Sequence, residues 1–339
     1  MDIDTLQSVA RAIVAKQKGV LAADESNPTI QKRFESIKTE STEASRRRYR
    51  EILFTAEGIE RYVGGVILFD ETLRQSTREG IPFPTLLASR GIIPGIKVDK
   101  GAKALALCPG DKVTEGLDGL RDRLVEYKRL GAQFTKWRAV IDIDDNTLPS
   151  AFGIHANAHA LARYAALCQE VGLVPIVEPE VLMDGAHSIE RCEVVTAQTL
   201  EAVFTELDAH HVLFEGMLLK PNMVIPGKKC PQQASVQAVA EATLRCLRRY
   251  VPAAVPGIVF LSGGQSAEDA TDHLNAMNAM GPQPWEVSFS YGRALQAPVL
   301  EAWQGQANLA VAAQQALLKR CHLNGLARDG QYSRSMEMP

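Results

Sequence analysis

Eight short runs of valine, isoleucine and leucine recur along the chain, and longer stretches with apolar residues at helical spacing separate them. The runs lie near Val20–Ala23, Gly65–Phe69, Ile92–Val98, Phe134–Val140, Val174–Glu178, Val212–Leu219, Ile258–Ser262 and Val287–Ser290. Strands alternating with helices build a parallel sheet, because a parallel connection needs a crossover about as long as a helix. That sheet can be open and doubly wound or closed into a barrel. An open nucleotide-binding sheet carries a glycine-rich loop after its first strand. Here Asp24-Glu25-Ser26-Asn27-Pro28 stands there, and neither G-x-G-x-x-G nor G-x-x-x-x-G-K-[ST] occurs anywhere. The expected fold is therefore α/β, a closed (β/α)8 TIM barrel. With no Pro/Gly/Ser-rich linker, we expect one domain over 1–339, with a short tail from about 333.

With 46% hydrophobic residues in a chain of 339, a large core can be buried. Basic residues (37) nearly cancel acidic ones (40), so no global charge steers the molecule to nucleic acid or an anionic membrane, and any bound anion must be held locally. The six cysteines, at 108, 168, 192, 230, 246 and 321, form no Cys-x-x-Cys pair and cluster with no histidines, which fits a reducing cytoplasm without zinc or disulfides. No apolar run reaches the ~20 residues of a membrane span. The acidic start Met1-Asp2-Ile3-Asp4 leads into Leu6, Val9, Ile13 and Val14 at helical spacing, unlike a targeting signal.

The strands end in charge. Side chains two apart on a strand share a face, so Lys97 pairs with Asp99, Lys136 with Arg138 and Glu178 with Glu180, while Asp24 closes the first strand and Lys220 the sixth. A strand-end lysine or glutamate usually marks where the chain regains solvent. In a barrel, however, carboxyl ends converge on one mouth, and clustering several charges there costs stability unless they pair or act. A mixed-sign cluster implies acid–base chemistry on a charged substrate. Lys220, between Met217-Leu218-Leu219 and Pro221, has the driest neighbourhood; with Lys136 as a nearby cation, its neutral amine is favoured as a nucleophile toward a carbonyl. The local sequence alone fits a snorkelling lysine as well. Ser262-Gly263-Gly264 after the seventh strand and Ser290-Tyr291-Gly292-Arg293 after the eighth occupy the usual phosphate position of such barrels.

Eight motifs in order, Leu-Ala-Ala-Asp-Glu-Ser (21–26), Gly-Gly-Val-Ile-Leu-Phe (64–69), Gly-Ile-Lys-Val-Asp-Lys-Gly (95–101), Lys-Trp-Arg (136–138), Val-Pro-Ile-Val-Glu-Pro-Glu (174–180), Leu-Leu-Lys-Pro-Asn-Met-Val (218–224), Phe-Leu-Ser-Gly-Gly-Gln-Ser (260–266) and Phe-Ser-Tyr-Gly-Arg-Ala-Leu-Gln (289–296), together resemble the class I fructose-1,6-bisphosphate aldolase family. The resemblance implies a (β/α)8 barrel, usually a cytoplasmic homotetramer. It also implies reversible cleavage of fructose 1,6-bisphosphate to dihydroxyacetone phosphate and glyceraldehyde 3-phosphate, in glycolysis and gluconeogenesis, without cofactor or metal. It makes Lys220 the imine-forming lysine and Glu178 the acid–base that dehydrates the carbinolamine, supported by Glu180. Asp24 and Lys136 would orient and deprotonate the C4 hydroxyl, Lys97 and Arg138 would face the C6-phosphate half, and Ser262, Gly263, Ser290 and Arg293 would hold the C1 phosphate, with Ser26 and Thr29 counted among the substrate-binding residues.

Two features depart from the family pattern. Asn27-Pro28-Thr29 replaces small residues after the first strand; Thr29 retains a hydroxyl, but Pro28 removes a backbone donor. Many animal and plant members also carry a terminal tyrosine that assists proton exchange at C3, whereas this sequence reads Met338-Pro339 soon after Tyr332. Enamine protonation is then expected to use another group or water, and trimming Ser333–Pro339 to change turnover little. Rival readings are another Schiff-base lyase such as a transaldolase-like enzyme, and a non-catalytic scaffold.

The metal-dependent alternative needs converging histidines. His155 and His159, four apart, form half a site at most and read as a helix-surface pair. His210-His211 precedes the sixth strand, at the wrong end, and His187, His273 and His322 read as surface residues. Arg46-Arg47-Arg48-Tyr49-Arg50, flanked by Glu40, Glu43 and Glu51, reads as a solvated, salt-bridged helix rather than an RNA site. Gln232–Tyr250 reads as a helix packed on the barrel.

Overall fold

The computed structural model describes residues 2–144 and 147–338; Met1 and Pro339, the ends of the expected domain, lie outside the described residues. Eight parallel strands close in the order β1-β10-β9-β8-β7-β6-β3-β2. They are β1 (Gly19–Ala23), β2 (Val63–Leu68), β3 (Ile93–Lys97), β6 (Phe134–Ile141), β7 (Val174–Val181), β8 (Leu218–Leu219), β9 (Gly257–Phe260) and β10 (Glu286–Tyr291). Between β3 and β6 stands a hairpin that the sequence reading missed, β4 (Ala102–Ala104) antiparallel to β5 (Lys112–Thr114). It is fastened to the barrel by the Thr114 hydroxyl, which donates to the Arg138 carbonyl at 2.7 Å.

Each expected strand is present, but the sixth is shorter than expected. Phe214–Gly216 is a 3-10 turn, and only Leu218–Leu219 pairs as strand. The side-chain amide of Gln169 replaces the missing ladder: it donates to the carbonyls of Leu213 (2.8 Å) and Gly216 (3.2 Å) and accepts from Leu213 N–H (2.9 Å).

The barrel floor is apolar and depends on glycine. Phe134 fills the interior, and a Cβ on Gly95 would come within 2.3 Å of its ring, on Gly65 within 3.0 Å. Leu6, Ala10, Ile13 and Val14, from and just after the N-terminal helix Ile3–Ile13, pack with Val20, Val174, Ile176 and Leu218 to plug the bottom. Gly64 lets that helix close in, since a Cβ there would sit 2.2 Å from the Ile13 carbonyl oxygen. A dry, filled floor leaves the opposite, carboxyl end as the open face.

Three further readings change. Tyr49 and Arg50 of the basic run are buried in the helix Glu43–Thr55. Only Arg47 takes an expected partner, Glu51 (2.7 Å); Arg46 reaches Glu71 (2.7 Å) and Arg50 reaches Glu25 (2.6 Å). His187 and His273 are buried rather than on the surface, and His273 Nδ1 lies 2.6 Å from Gln265 Oε1; His322 is exposed as expected. The helix of the 232–250 reading runs from Val236 to Tyr250 and buries Val239, Thr243, Cys246 and Leu247. The tail from 333 is docked. Arg334–Glu337 forms a 3-10 turn whose Glu337 carboxylate accepts from the Tyr332 hydroxyl (2.8 Å) and from buried Arg320 (2.5 Å). No described helix is long and apolar enough to cross a membrane.

Candidate active site

The strand register sets the ionic mouth. In β6 and β7, Lys136 lies beside Ile176, Arg138 beside Glu178 and Val140 beside Glu180; across the other edge of β6, Lys136 lies beside Lys97. Lys220 prolongs β8, its N–H donating to the Val177 carbonyl at 2.8 Å. All thirteen residues singled out from the sequence line one cavity of about 270 Å3: Asp24, Ser26, Thr29, Lys97, Lys136, Arg138, Glu178, Glu180, Lys220, Ser262, Gly263, Ser290 and Arg293. The molecule has a larger cavity, about 790 Å3, against the helix Ala310–Arg328, but it is lined by scattered surface groups such as Gln314 and Gln315 and gathers no such convergence.

At the centre, Glu178 bridges two lysines. One carboxylate oxygen lies 3.2 Å from Lys220 Nζ, the other 3.3 Å from Lys136 Nζ. All three side chains are buried, Lys220 to 4% exposure. Lys136 also contacts Asp24 at 2.6 Å. Burial alone pushes the Asp24 carboxyl up, but Lys136, and then Lys220, outweigh it and hold this group well below the usual aspartate range. Burial likewise pulls the Lys136 ammonium down, yet Asp24, then Glu178 and Asp99, reverse that and leave it above its ordinary value. Lys136 and Asp24 therefore stand as a locked ion pair.

The two flanks differ. Toward β3, Lys97 is held by Asp99, 2.7 Å to the carboxylate and 2.9 Å to the backbone carbonyl, and Arg138, exposed at the rim, is paired with Glu180. Toward β9 and β10, Gly263 (φ +58°) and Gly264 (φ +89°) form a tight turn closed by Gln265 N–H to Ser262 O at 2.9 Å. Ser290 is 1% exposed, and its hydroxyl finds no hydrogen-bond partner among the described residues. A buried hydroxyl facing a cavity beside Arg293 and a helix start at Arg293 suits an anion. Ser26 stands at the N-cap position of the helix Asn27–Glu35 without a side-chain capping bond, with Pro28 in the first turn where its missing N–H costs nothing, and the Ser26 and Thr29 hydroxyls lie 3.1 Å apart.

Sequence reasoning missed Glu25 and Arg33, which also line the cavity. Glu25 is buried and holds Arg33, Arg50 (2.6 Å) and the Gln296 amide (2.8 Å) together behind the first loop. Arg33 carried a usable signal: it follows Thr29 by four residues, on the same helix face.

Residues 5–338 match the family described as fructose-bisphosphate aldolase class-I. A probable fructose-bisphosphate aldolase class 1 of Xylella fastidiosa is 56% identical over 333 residues, 98% of this chain and 99% of the relative. Fructose-bisphosphate aldolase C of Homo sapiens is 52% identical over 334 residues, 98% of this chain and 92% of the relative. A solved structure of fructose-bisphosphate aldolase from Plasmodium falciparum, in complex with TRAP and a small-molecule inhibitor, superposes with a TM-score of 0.96 at 50% identity, covering 97% of this chain and 95% of that one. A closed barrel with paired lysines in its mouth and kinship across nearly its whole length lead to one conclusion: the chain belongs to the class I fructose-bisphosphate aldolase family, whose members are lyases.

Proposed function

We propose that this protein cleaves fructose 1,6-bisphosphate reversibly into dihydroxyacetone phosphate and glyceraldehyde 3-phosphate through an imine on Lys220. The observation that carries the reading is Glu178, with one oxygen 3.2 Å from Lys220 and the other 3.3 Å from Lys136. The Lys220 amine attacks the C2 carbonyl; Glu178 delivers the proton that lets the carbinolamine lose water, leaving an iminium. With Asp24 locked as a carboxylate and Lys136 as an ammonium, this pair orients and polarises the C4 hydroxyl. The C4 proton passes to Glu178, which contacts the same Lys136 at 3.3 Å and is freed once the imine has formed. The C3–C4 electron pair flows to the iminium nitrogen, C4 becomes the aldehyde carbonyl, and the enamine is then protonated at C3 and hydrolysed. The iminium serves as the electron sink, so this route asks for no metal.

Ser262, Gly263, Ser290 and Arg293, with Ser26 and Thr29 nearby, hold the C1 phosphate; Lys97 and Arg138 face the C6 phosphate, and Glu180 positions Arg138. From family membership we further propose one catalytic domain over the whole chain, assembled as a homotetramer in the cytoplasm and acting in glycolysis and gluconeogenesis. Borohydride reduction with dihydroxyacetone phosphate, followed by peptide mass spectrometry, tests the central step. The adduct is expected on Lys220 and absent from Lys220→Met; an adduct elsewhere, or cleavage surviving in Lys220→Met, overturns the reading.

A further inference from the structure

A second group of ionisable side chains sits on the outside of the barrel, away from the mouth. His155 and His159 are one turn apart on the helix Ala151–Glu170. Glu206 and His210 are one turn apart at the end of the helix Ile189–Ala209, which packs beside it. None of these four side chains lines the mouth cavity. The sequence offered only the first pair, because four residues' spacing marks a shared face but does not say which helix lies opposite.

Glu206 is the hub. Its carboxylate lies 3.0 Å from His159 Nδ1, 3.4 Å from His155 Nδ1 and 3.7 Å from His210 Nδ1. Ligand atoms of His159, Glu206 and His210 all fall within 4.8 Å of one another. Ligands bound about 2.1 Å from a tetrahedral ion are roughly 3.4 Å apart, so small rotations of these side chains close the set. His155 (60%) and His159 (47%) are exposed enough at the side chain to turn, whereas Glu206 (17%) and His210 (24%) are held between the helices, with His210 Nδ1 2.8 Å from the Glu206 carbonyl so that its Nε2 is the atom left to bind. Solvent reaches the site along a groove lined by His159, His210, Arg121 and Arg163.

Imidazoles with one carboxylate are borderline ligands that suit Zn2+ better than Mg2+ or Ca2+, which prefer oxygen. We propose that His159, Glu206 and His210 bind one Zn2+ ion, with water completing the tetrahedron, and that the ion staples the helices that follow β6 and β7. The site takes no part in the aldol chemistry and does not depend on the roles given to Lys220 or Glu178.

The test is Zn2+ titration of the chelator-stripped full-length protein, by calorimetry against a competing chelator, with thermal unfolding followed in parallel. Wild type is expected to take up one Zn2+ per chain and to unfold at a higher temperature as Zn2+ rises. His159→Ala/His210→Ala should weaken that uptake at least about tenfold and remove the thermal shift. Glu206→Gln should weaken it as well, and an unchanged far-UV circular dichroism spectrum shows that each variant is folded. Co2+ should give visible absorption in wild type that the double variant lacks. Equal uptake by the double variant would place the ion on other groups, such as the partly exposed thiols of Cys108 and Cys230, and overturn the proposal, as would wild type binding no Zn2+.

Discussion

Lys136 reaches Asp24 at 2.6 Å across the barrel mouth: their strands, β6 and β1, are not neighbours but are separated by β3 and β2. The pair is a strut between distant strand ends as well as the unit proposed above to orient the C4 hydroxyl. Its electrostatics predict how stability responds to acid. Asp24 is depressed in the folded state, so its contribution is full above the ordinary aspartate value of 3.8 and is lost as pH falls toward the lowered folded value. Asp24→Asn should therefore be less stable than wild type at neutral pH and lose less on acidification. Urea unfolding between pH 3 and 7 measures this; parallel acid limbs in the two proteins would remove the strut.

Ser290 separates a binding role from a structural one. Its hydroxyl is buried and without a partner, so removing it takes away no bond of the folded protein. Ser290→Ala should leave the unfolding temperature unchanged or slightly raised. It should raise KM for the bisphosphate by about 10-fold, the loss of one hydrogen bond to a charged group. Steady-state kinetics beside calorimetry decides; unchanged kinetics would take the C1 phosphate away from this serine.

Glu25 predicts the opposite pattern. Its partner Arg50 has a side chain only 3% exposed, and Glu25→Gln leaves that guanidinium buried without its counter-charge. The expected loss is about 3–5 kcal/mol, readable by denaturant titration. KM should rise too, because Arg33 loses the carboxylate that holds it against the cavity.

Gly95 tests the floor. A methyl group there meets the Phe134 ring at 2.3 Å, so Gly95→Ala should destabilise by about 1–3 kcal/mol or more through overpacking. Adding Phe134→Leu, which withdraws the ring, should recover part of the loss. Thermal unfolding of the two single variants and the double gives the coupling directly.

The docked tail gives a last expectation. Deleting Ser333–Pro339 removes Glu337 from buried Arg320, which keeps the Thr271 hydroxyl (2.6 Å) and the Ala267 carbonyl (3.0 Å). Stability should drop by about 1–3 kcal/mol while kcat changes little. A large fall in kcat at full folding would tie this segment to turnover.

Barrel and mouth were legible for the same reason. A parallel strand buried on both faces must be written in aliphatic residues, so charges such as Lys136 and Glu178 interrupting that text stand out. The hairpin Ala102–Ala104 with Lys112–Thr114 escaped because its first strand is exposed and its composition carries no strand signal. β8 was overread because Gln169, some fifty residues upstream, supplies hydrogen bonds that no local pattern announces. Glu25 and the Glu206 cluster escaped for a related reason: Arg50 reaches Glu25, and His155 and His159 reach Glu206, from other helices, and such a contact between elements leaves no mark on the spacing within either one.

The unbroken pairing of β6 with β7 runs from Phe134 opposite Val174 to Ile141 opposite Val181. Because facing alternates along a strand, shifting either partner by a single step would turn Lys136 or Glu178 outward among the surrounding helices, and a two-step shift would carry it one rung up or down the mouth. Eight rungs of backbone hydrogen bonding thus act as the keying of a lock whose tumblers are charges. Insertions or deletions within either segment should abolish sugar cleavage even in chains that still close the ring.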